Sequence, residues 1–302
     1  MNISVTLPTL NNFKRLSYTL DAFSNLVVPV GVEWELIVAD NNSSDSTKKV
    51  VAKFFHKLPI KYIFEPNPGV SCARNACLCN AKGELIIFTD DDVIPCVNWL
   101  KLYWQEYLLD PNNLFWGGPV FSDFEIPPMD MALISLGPCS VKGLNWGNDK
   151  KVLGANEYFI GANWAAPSRA IKMVGGFNEQ LGLNASLKKV IIGEENDLMN
   201  RLQAIGLKPM YIPSCSIQHF VPKSKMTLEH IASRAEASGR FSVDWALESS
   251  PVRILGVPRW MWKKTILFFL KSKLKKLVNK NWTADYVLYR QLLGCIKKIR
   301  EG

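Results

Sequence analysis

Residues 84–92 read ELIIFTDDD, a short run of mostly aliphatic residues followed by three consecutive aspartates. A continuous apolar run of this length predicts a strand buried on both faces, as in a parallel sheet. Three more such runs lie upstream, and stretches with helical periodicity separate them. The apolar runs are residues 3–8, 34–40 and 60–65, and the helical stretches are residues 13–26, 45–57 and 71–81. This alternation predicts an α/β fold with a mostly parallel central sheet flanked by helices.

Polar residues follow each apolar run, at positions 8–12, 40–45, 65–69 and 90–92. In an open α/β sheet, ligands bind outside the carboxyl ends of the strands. We therefore expect these four segments to meet at one edge of the sheet and to form a binding site.

The aspartate triplet is the strongest chemical signal in the sequence. Alternation along an extended chain would place Asp90 and Asp92 on one side, about 6–7 Å apart, with Asp91 on the other. A hard dication such as Mg²⁺ or Mn²⁺, bridging a diphosphate, would neutralise both carboxylates. An acidic turn at the end of a strand fits the triplet equally well, so the neighbouring segments must decide between the two interpretations.

Two other strand exits carry groups that suit a nucleotide. Asp40 ends the second apolar run, and its carboxylate could accept a hydrogen bond from a nucleobase or a ribose hydroxyl. Asn42 follows in a segment that is also ordinary turn chemistry. Gly69 precedes a helix whose N-terminus would suit a phosphate, and Arg74 adds a positive charge one turn further along.

A second acidic group opens the helical stretch at residues 193–206, GEENDLMNRLQAIG. Glu195 lies on the same face as the apolar stripe Leu198, Leu202 and Ile205, an expensive position for a carboxylate unless the protein uses it. A general base in a cleft fits this position. Preference of acidic residues for the first turn of a helix is the competing explanation.

His219 ends a strand-like run, MYIPSCSIQH, and is a candidate metal ligand. Lone histidines are more often structural, and we interpret His56 and His230 in that way. The seven cysteines are scattered without paired CxxC spacing, so we expect reduced thiols and no zinc site. The N-terminal MNISVTLPTLNN lacks the pattern of a secretory signal, and a cytoplasmic location is expected.

The formal charge of +9 is concentrated near the C-terminus. Residues 251–302 hold 13 Lys and Arg against 2 Asp and Glu, whereas residues 1–250 hold 23 against 25. Charge confined to one segment indicates surface association and not a nucleic-acid-binding groove.

Residues 259–278 have the pattern of a basic amphipathic helix. Five apolar side chains cluster on one side, four lysines lie largely opposite, and two tryptophans precede them. The apolar set is Ile266, Leu267, Leu270, Leu274 and Leu277, the lysines are Lys264, Lys271, Lys275 and Lys276, and the tryptophans are Trp260 and Trp262. The longest apolar run is far shorter than the ~20 residues that span a bilayer, which predicts a helix lying on the membrane. A helix packed on the protein with its lysines in solvent is the alternative.

Seven motifs occur in a specific order along the first 240 residues. They are PTLNN (8–12), ADNNSSDST (39–47), GVSCARN (69–75), FTDDD (88–92), GANWA (161–165), GGFNE (175–179) and GEENDLMNRL (193–202). Together they resemble family 2 glycosyltransferases of the GT-A fold. The resemblance implies a metal-dependent, inverting transfer of a sugar from a nucleotide-diphospho-sugar to an acceptor hydroxyl.

The resemblance also implies a role for each matched residue. Asp90 and Asp92 correspond to the DxD pair, in which Asp92 ligates Mn²⁺ or Mg²⁺, completed by His219, and Asp90 lies near the ribose and sugar. Glu195 corresponds to the catalytic base, with Asp197 as the reserve candidate because the usual acid pair has Asp second. The residues assigned to substrate binding are Pro8, Thr9, Asn11, Asp40, Asn42, Gly69, Arg74, Asp90, Asp91, Gly161, Asn163 and Glu194.

We expect three functional segments: a nucleotide-sugar-binding half at 1–110, an acceptor-binding and catalytic-base half at 111–240, and a basic amphipathic helical tail at 241–302. The expected acceptor is a glycan or lipid-linked saccharide of cell-surface polysaccharide or glycolipid biosynthesis, reached from the inner face of the cell membrane, with no nucleic acid involved. A nucleotidyltransferase that makes nucleotide-sugars is a rival, although the first loop, PTLNNFKR, has no glycine to wrap phosphates. A non-catalytic membrane-associated binding module is the second rival.

Overall fold

The structure, a computed structural model, describes residues 1–154, 157–184, 186, 190–241 and 252–301. The chain forms two compact units. The first comprises Met1–Asp123, Gly143–Lys188 and Glu194–Phe220, and the second comprises Phe124–Lys142, Lys189–Gly193 and Val221–Gly302. The three functional segments expected from the sequence are a different kind of division, and they stay a prediction.

Strands and helices alternate at the start of the first unit as the sequence predicts. The elements are β1 (Ile3–Thr9), α1 (Phe13–Phe23), β2 (Trp34–Asp40), α2 (Thr47–Ala52), β3 (Ile60–Phe64), α3 (Val70–Asn80) and β4 (Leu85–Phe88). Every residue of β1 and of β4 is buried. Their continuous apolar sequence is explained by this burial on both faces.

The elements that follow β4 are mostly shorter than those named above, apart from the C-terminal helices. They are β5 (Val93–Pro95), α4 (Trp99–Leu109), β6 (Leu114–Gly117), β7 (Val120–Phe124), α5 (Met131–Ser135), α6 (Cys139–Lys142), β8 (Lys151–Val152), β9 (Trp164–Pro167), α7 (Ser168–Val174), α8 (Glu194–Ala204), β10 (Lys208–Tyr211), β11 (Ile217–Val221), α9 (Leu228–Phe241), β12 (Arg253–Ile254), β13 (Val257–Pro258), α10 (Arg259–Leu277) and α11 (Thr283–Glu301).

The main sheet has the strand order β3-β2-β1-β4-β9-β6-β10-β8. The first four strands are parallel, but β9 runs antiparallel to both of its neighbours, β4 and β6. Strands β6 and β10 run in the same direction as β1 to β4, and of the described strands in this sheet only β9 and β8 oppose them, so the predicted mostly parallel sheet is confirmed. All four residues of β9 are buried, so its sequence is as apolar as that of a parallel strand and carries no signal of direction.

A smaller sheet, in the order β5-β11-β7, continues from the end of β4. Its β5 and β11 pair antiparallel, with Val93 opposite His219, and the backbone N–H of Phe220 donates to the carbonyl of Asp92. This register brings His219 beside the aspartate triplet, although more than a hundred residues separate them in the sequence.

The core of the first unit contains several aromatic side chains and a fully buried amide. Asn163 is fully buried, and its side-chain oxygen accepts hydrogen bonds from the Trp99 indole at 2.8 Å and the Tyr103 hydroxyl at 2.9 Å. Its side-chain nitrogen donates to the carbonyls of Pro119 and Cys215. Asn163 thereby ties helix α4 to the loops that precede β7 and β11.

In the second unit, α11 packs closely on α9. Gly239 lies against the carbonyl of Gln291, and Gly294 against that of Glu236, so each glycine lets the opposite backbone approach. Glu236 of α9 forms ion pairs with Arg290 and Lys297 of α11. Within the described part of the chain, every helix is too short or too polar to cross a bilayer.

We predict that Asn163→Ala lowers the free energy of unfolding by about 3 kcal/mol or more, because each buried group left without a partner costs about 1–3 kcal/mol. Chemical denaturation followed by circular dichroism measures this loss. Asn25, an exposed amide that donates to the Asp21 carbonyl, supplies the control Asn25→Ala, which should have little effect. Equal stability of the two variants would contradict the structural role of Asn163.

Candidate active site

Arg74 is at the centre of the candidate site. Its side chain is 3% exposed, and one guanidinium nitrogen lies 3.1 Å from a carboxylate oxygen of Glu194 and 3.2 Å from one of Glu195. The other terminal nitrogen lies 3.1 Å from Asp90. Three elements thus meet on one cation: α3, the N-terminal turn of α8 and the exit of β4. The sequence offered only modest grounds for this central position.

Gly161 makes room for that arrangement. A Cβ atom at position 161 would overlap the carboxylate of Glu195 and would lie 2.7 Å from the Arg74 guanidinium. Only glycine therefore allows the backbone to pass directly against this ion pair. The sequence assigned Gly161 to substrate binding, and the structure shows what the residue does locally, which is to admit the Glu195 side chain.

The two adjacent glutamates differ in environment. The side chain of Glu194 is 7% exposed and that of Glu195 is 21% exposed, so Glu195 is the one more open to a ligand. Burial, reinforced by the charge of Glu195, raises the pKa of Glu194 to about 8 against the opposing effect of Arg74. Burial alone would lower the pKa of Arg74, but Glu195, Asp90 and Glu194 raise it overall, so the guanidinium stays charged.

Asp90, Asp92 and His219 form a candidate metal centre. Each offers one ligand atom, and these atoms all lie within 4.8 Å of one another. The His219 Nε2 atom is 3.2 Å from an Asp92 oxygen. Two carboxylate oxygens and one imidazole nitrogen are ligands that Mn²⁺ and Mg²⁺ accept, and the surrounding acids leave a surplus of negative charge. The donor set therefore fits a divalent cation.

The triplet itself is a turn between β4 and β5 and not an extended strand. The pairing of Asp90 with Asp92 was predicted from the alternation of side chains along a strand, but this segment is not a strand. The turn still separates the side chains as expected, because Asp90 and Asp92 share the metal cluster while Asp91 bonds elsewhere.

Asp91 anchors the loop after β1. Its two carboxylate oxygens accept hydrogen bonds from the Thr9 hydroxyl at 2.6 Å and the Asn12 amide at 2.7 Å. The Thr19 hydroxyl of α1 donates to the Asp91 carbonyl. Burial, together with the charge of Asp92, raises the pKa of Asp91 to about 7. Thr9 and Asp91 therefore hold the loop after β1 in position, and their predicted contact with substrate stays a prediction.

Asp40 lies at the end of β2 and is 2% exposed. One of its oxygens accepts the Ser43 backbone N–H at 2.8 Å, and the other accepts the Tyr62 hydroxyl at 2.7 Å. Burial and the Asp40 carboxylate together raise the pKa of Tyr62 well above its usual value. Because each carboxylate oxygen has a second lone pair, recognition of a nucleobase by Asp40 is compatible with these bonds and stays a prediction.

Asn11 and Asn42 shape the loops after β1 and β2. Both have positive φ, 51° and 68°, a region that asparagine tolerates better than most residues. The Asn11 side chain accepts from the Ser44 backbone N–H, and the Asn11 backbone N–H donates to the Ser43 hydroxyl. The two loops are thus bonded to each other. Pro8, one residue before Thr9, is buried in β1 beside Ala39.

Gly69 precedes α3 with φ 136°, a conformation that favours glycine. Its N–H donates to the side-chain oxygen of Asn41, whose amide nitrogen donates to the carbonyls of Glu65 and Asn67. Asn41 therefore holds the loop that begins α3, and sequence reasoning missed it. It was missed, like Asn12 and Tyr62, because its partners are residues far along the chain.

Two predicted site residues are bonded away from the cluster. Asn163, predicted to bind substrate, is fully buried, and all four hydrogen bonds of its side-chain amide are made within the core, so the structure gives that amide a role in the fold. Asp197, the reserve base, accepts two hydrogen bonds from Arg201, which also donates to the carbonyls of Val174 and Gly176. The carboxylate of Asp197 thus anchors α8 to the end of α7.

The model of one protein family, described as glycosyl transferase family 2, matches residues 4–161. The succinoglycan biosynthesis protein ExoM of Rhizobium meliloti (strain 1021) is 34% identical over 233 residues, which cover 74% of this chain and 69% of ExoM. The chain belongs to glycosyl transferase family 2. The family predicted from the seven sequence motifs is therefore confirmed.

Other matches are partial or share only the fold. Chondroitin synthase of Pasteurella multocida (strain Pm70) is 32% identical over 121 residues, and the match spans 39% of this chain but only 12% of that enzyme. Among solved structures, the mannosyltransferase PcManGT from Pyrobaculum calidifontis, in complex with GDP-Man and Mn²⁺, has a TM-score of 0.64 at 16% identity and covers 99% of this chain and 87% of its own. That likeness confirms the GT-A fold.

We predict that Gly161→Ala lowers the turnover of this family 2 enzyme by about 100-fold, because the added Cβ displaces the Glu195 carboxylate and a misplacement of about 1 Å costs roughly that much. The measurement is release of nucleoside diphosphate from a panel of UDP- and GDP-sugars with manganese. Gly154→Ala is the control, since its added Cβ would meet only Glu157 at 3.7 Å. Unchanged turnover in Gly161→Ala would show that the contact with Glu195 does not matter to the reaction.

Proposed function

We propose that this family 2 protein is a metal-dependent, inverting glycosyltransferase that moves a sugar from a nucleotide-diphospho-sugar to an acceptor hydroxyl. The observation that carries the proposal is the link between two groups of acids through Arg74. Its guanidinium bonds Glu195, the candidate base, and Asp90, which belongs to the candidate metal centre. The proposed base and an acid of the proposed metal centre thus both contact the same guanidinium.

Glu195 is the proposed general base. It is the more exposed of the two glutamates bound to Arg74, and it corresponds to the position of the catalytic base in the family's motif. The acceptor hydroxyl would give its proton to Glu195 while its oxygen attacks the anomeric carbon, and the bond from that carbon to the diphosphate would break. A single displacement of this kind inverts the anomeric configuration. Arg74 orients Glu195 through the contact of 3.2 Å between its guanidinium and the carboxylate.

Asp92 and His219 are the proposed metal ligands, with Asp90 beside them. A bound Mn²⁺ or Mg²⁺ would supply Lewis-acid stabilisation of the leaving diphosphate. PcManGT, whose structure contains Mn²⁺ and GDP-Man, supports this choice of cofactor and of donor class through its shared fold. The protein itself positions Asp92 and His219 through the β5–β11 pairing, before any ligand arrives.

The proposed donor-binding residues lie in or next to the loops after β1, β2 and β3. Asp40, with Pro8, Asn11 and Asn42 as its neighbours, would read the nucleobase, and Gly69 at the start of α3 would admit a phosphate. The hydrogen bonds of Asn11 to Ser43 and Ser44, which join the loops after β1 and β2, support a donor site at these loops. Residues 1–110 would thus bind the donor, and residues 111–240 would bind the acceptor and supply Glu195.

The proposed acceptor is a glycan or a lipid-linked saccharide in the biosynthesis of a cell-surface polysaccharide or glycolipid. ExoM, a succinoglycan biosynthesis protein, and chondroitin synthase support an acceptor of this class. A lipid-linked acceptor would be met at a membrane, and the proposal includes a peripheral position on the inner face of the cell membrane.

The base is tested by comparing Glu195→Gln with Asp197→Asn. We expect Glu195→Gln to fold, to bind donor and to lose about 10²–10⁴-fold in kcat, the usual contribution of general-base catalysis. Asp197→Asn should instead lower the melting temperature, since it weakens the Arg201 anchor, and should leave kcat within a few-fold. A larger loss of kcat in Asp197→Asn than in Glu195→Gln would move the base to Asp197.

The metal centre is tested by donor binding in Asp92→Asn. Titration calorimetry with UDP- and GDP-sugars should show affinity that depends on manganese in the wild type and affinity that manganese no longer increases in the variant. Chelation of the wild type should reproduce the variant. Asp21→Asn, on the exposed face of α1, removes one carboxylate outside the cluster and should bind like the wild type. Manganese-dependent binding retained by Asp92→Asn would remove Asp92 from the site.

A further inference from the structure

Helix α10 presents its most apolar residues to solvent. Ile266, Leu270, Leu274 and Leu277 are 57%, 51%, 63% and 81% exposed. At 100° per residue, these four side chains fall within an arc of roughly 80° around the helix axis. We name this arc the leucine face of α10. Leu267, which is 47% exposed, lies at its border.

The opposite side of α10 is the one that packs on the protein. Its buried residues are Met261, Thr265 and Ser272, and the two hydroxyls donate to carbonyls of the same helix, those of Met261 and Phe269. A helix on the surface of a globular protein normally turns its apolar stripe inward and its polar side outward. Here the order is reversed, which indicates that an apolar environment outside the fold covers the leucine face.

The hairpin before α10 adds a second apolar projection. Leu255 and Gly256, between β12 and β13, both have positive φ, at 52° and 78°. Asn, Asp and Gly normally fill a two-residue turn of this kind, and leucine is strained there. The Leu255 side chain is also 73% exposed, and Ile254 beside it is 47% exposed. The Trp262 indole donates to the Ile254 carbonyl and ties the hairpin to the first turn of α10.

Basic residues border these apolar groups. Residues 252–282 contain nine Lys and Arg and no Asp or Glu. By helical position, Lys273 lies next to one edge of the leucine face, Lys271 lies beyond the other, and Lys263 falls within the arc at its N-terminal end, one turn before Ile266. An apolar arc edged by cations and free of anions complements the headgroups and upper acyl chains of an anionic membrane.

We infer that the leucine face of α10 and the Leu255 hairpin tip bind the surface of an anionic lipid bilayer, with α10 lying in the plane of the interface. A second copy of this chain is a poorer occupant, because pairing the two faces would bring like charges together. The inference concerns the second unit alone and does not rest on the chemistry proposed for the first.

Vesicle flotation of the full chain tests the inference. The wild type should float with vesicles of phosphatidylcholine mixed with phosphatidylglycerol, and less with phosphatidylcholine alone or at high salt. The double variant Leu270→Gln, Leu274→Gln should lose binding by about tenfold or more, since two buried leucines are removed from the interface. Leu108→Gln with Leu109→Gln is the matched control, because these leucines on α4 are 60% and 73% exposed in the first unit.

Leu255→Asn separates a membrane role from a structural one. Asparagine tolerates positive φ better than leucine, so this variant should be at least as stable as the wild type in thermal unfolding. It should nevertheless bind the anionic vesicles more weakly. A lower melting temperature with unchanged vesicle binding would assign Leu255 to the fold and would contradict its part in the inference.

Three outcomes would overturn the membrane assignment. The first is wild-type protein that stays with the unbound fraction when anionic vesicles float. The second is a Leu270, Leu274 double variant that floats as well as the wild type. The third is a wild type that elutes as a dimer and a double variant that elutes as a monomer in size-exclusion chromatography, which would make a second copy the occupant. Hydrolysis of UDP- and GDP-sugars without vesicles should be equal in wild type and double variant, so failure of the proposed chemistry would be visible separately.

Discussion

The guanidinium of Arg74 is buried among three carboxylates, and the geometry of the site depends on that one charge. A buried charge without partners costs several kcal/mol, so Arg74 cannot occupy its position unless Asp90, Glu194 and Glu195 surround it. The converse also holds, because the glutamates at the start of α8 would repel each other without the cation. The exit of β4, helix α3 and helix α8 are therefore held in one arrangement by electrostatics as well as by packing, and Gly161 completes it by leaving space for the Glu195 carboxylate.

The same balance explains why the site suits a further cation. One arginine faces three carboxylates, and Asp91 and Asp92 follow directly in the chain. Burial and neighbouring negative charge raise the pKa of Glu194 to about 8 and that of Asp91 to about 7, which is how a protein relieves surplus charge when only protons are at hand. Asp90, Asp92 and His219 offer the alternative, a candidate metal centre in which a dication would neutralise the surplus. The carboxylates, whose mutual repulsion disfavours their clustering, thus form an anionic site.

Local patterns in the sequence predicted what depends on neighbours in the chain. The strands β1 to β4 follow from the apolar runs and the turn residues after them, and their bounds were predicted within a few residues. The inward position of Glu195 was likewise reached from periodicity, whereas the pairing of Asp90 with Asp92 was reached from strand alternation although this segment forms a turn. Long-range contacts were beyond such reasoning: Asn163 was placed in the site although its four hydrogen bonds join segments that are distant in sequence. Asn41 and Tyr62 were overlooked for the same reason, since their partners lie in other loops.

Helix α10 shows a different limit of pattern reading. Amphipathicity identifies an apolar side and a basic side, but it does not say which side meets the protein, and both a membrane-facing and a protein-packed helix fitted the sequence. In the structure, the side that packs carries Met261, Thr265 and Ser272, and the aliphatic side faces solvent. Burying a leucine or isoleucine is worth about 1.5–3 kcal/mol, so the four exposed side chains together forgo an amount comparable with the roughly 5–15 kcal/mol that stabilises a whole domain. Turning the helix by half a turn would recover much of that energy if the fold were the only consideration. The proposed contact of the leucine face with an anionic bilayer would bury these side chains outside the fold, and the lysines of α10 would then meet the negatively charged headgroups.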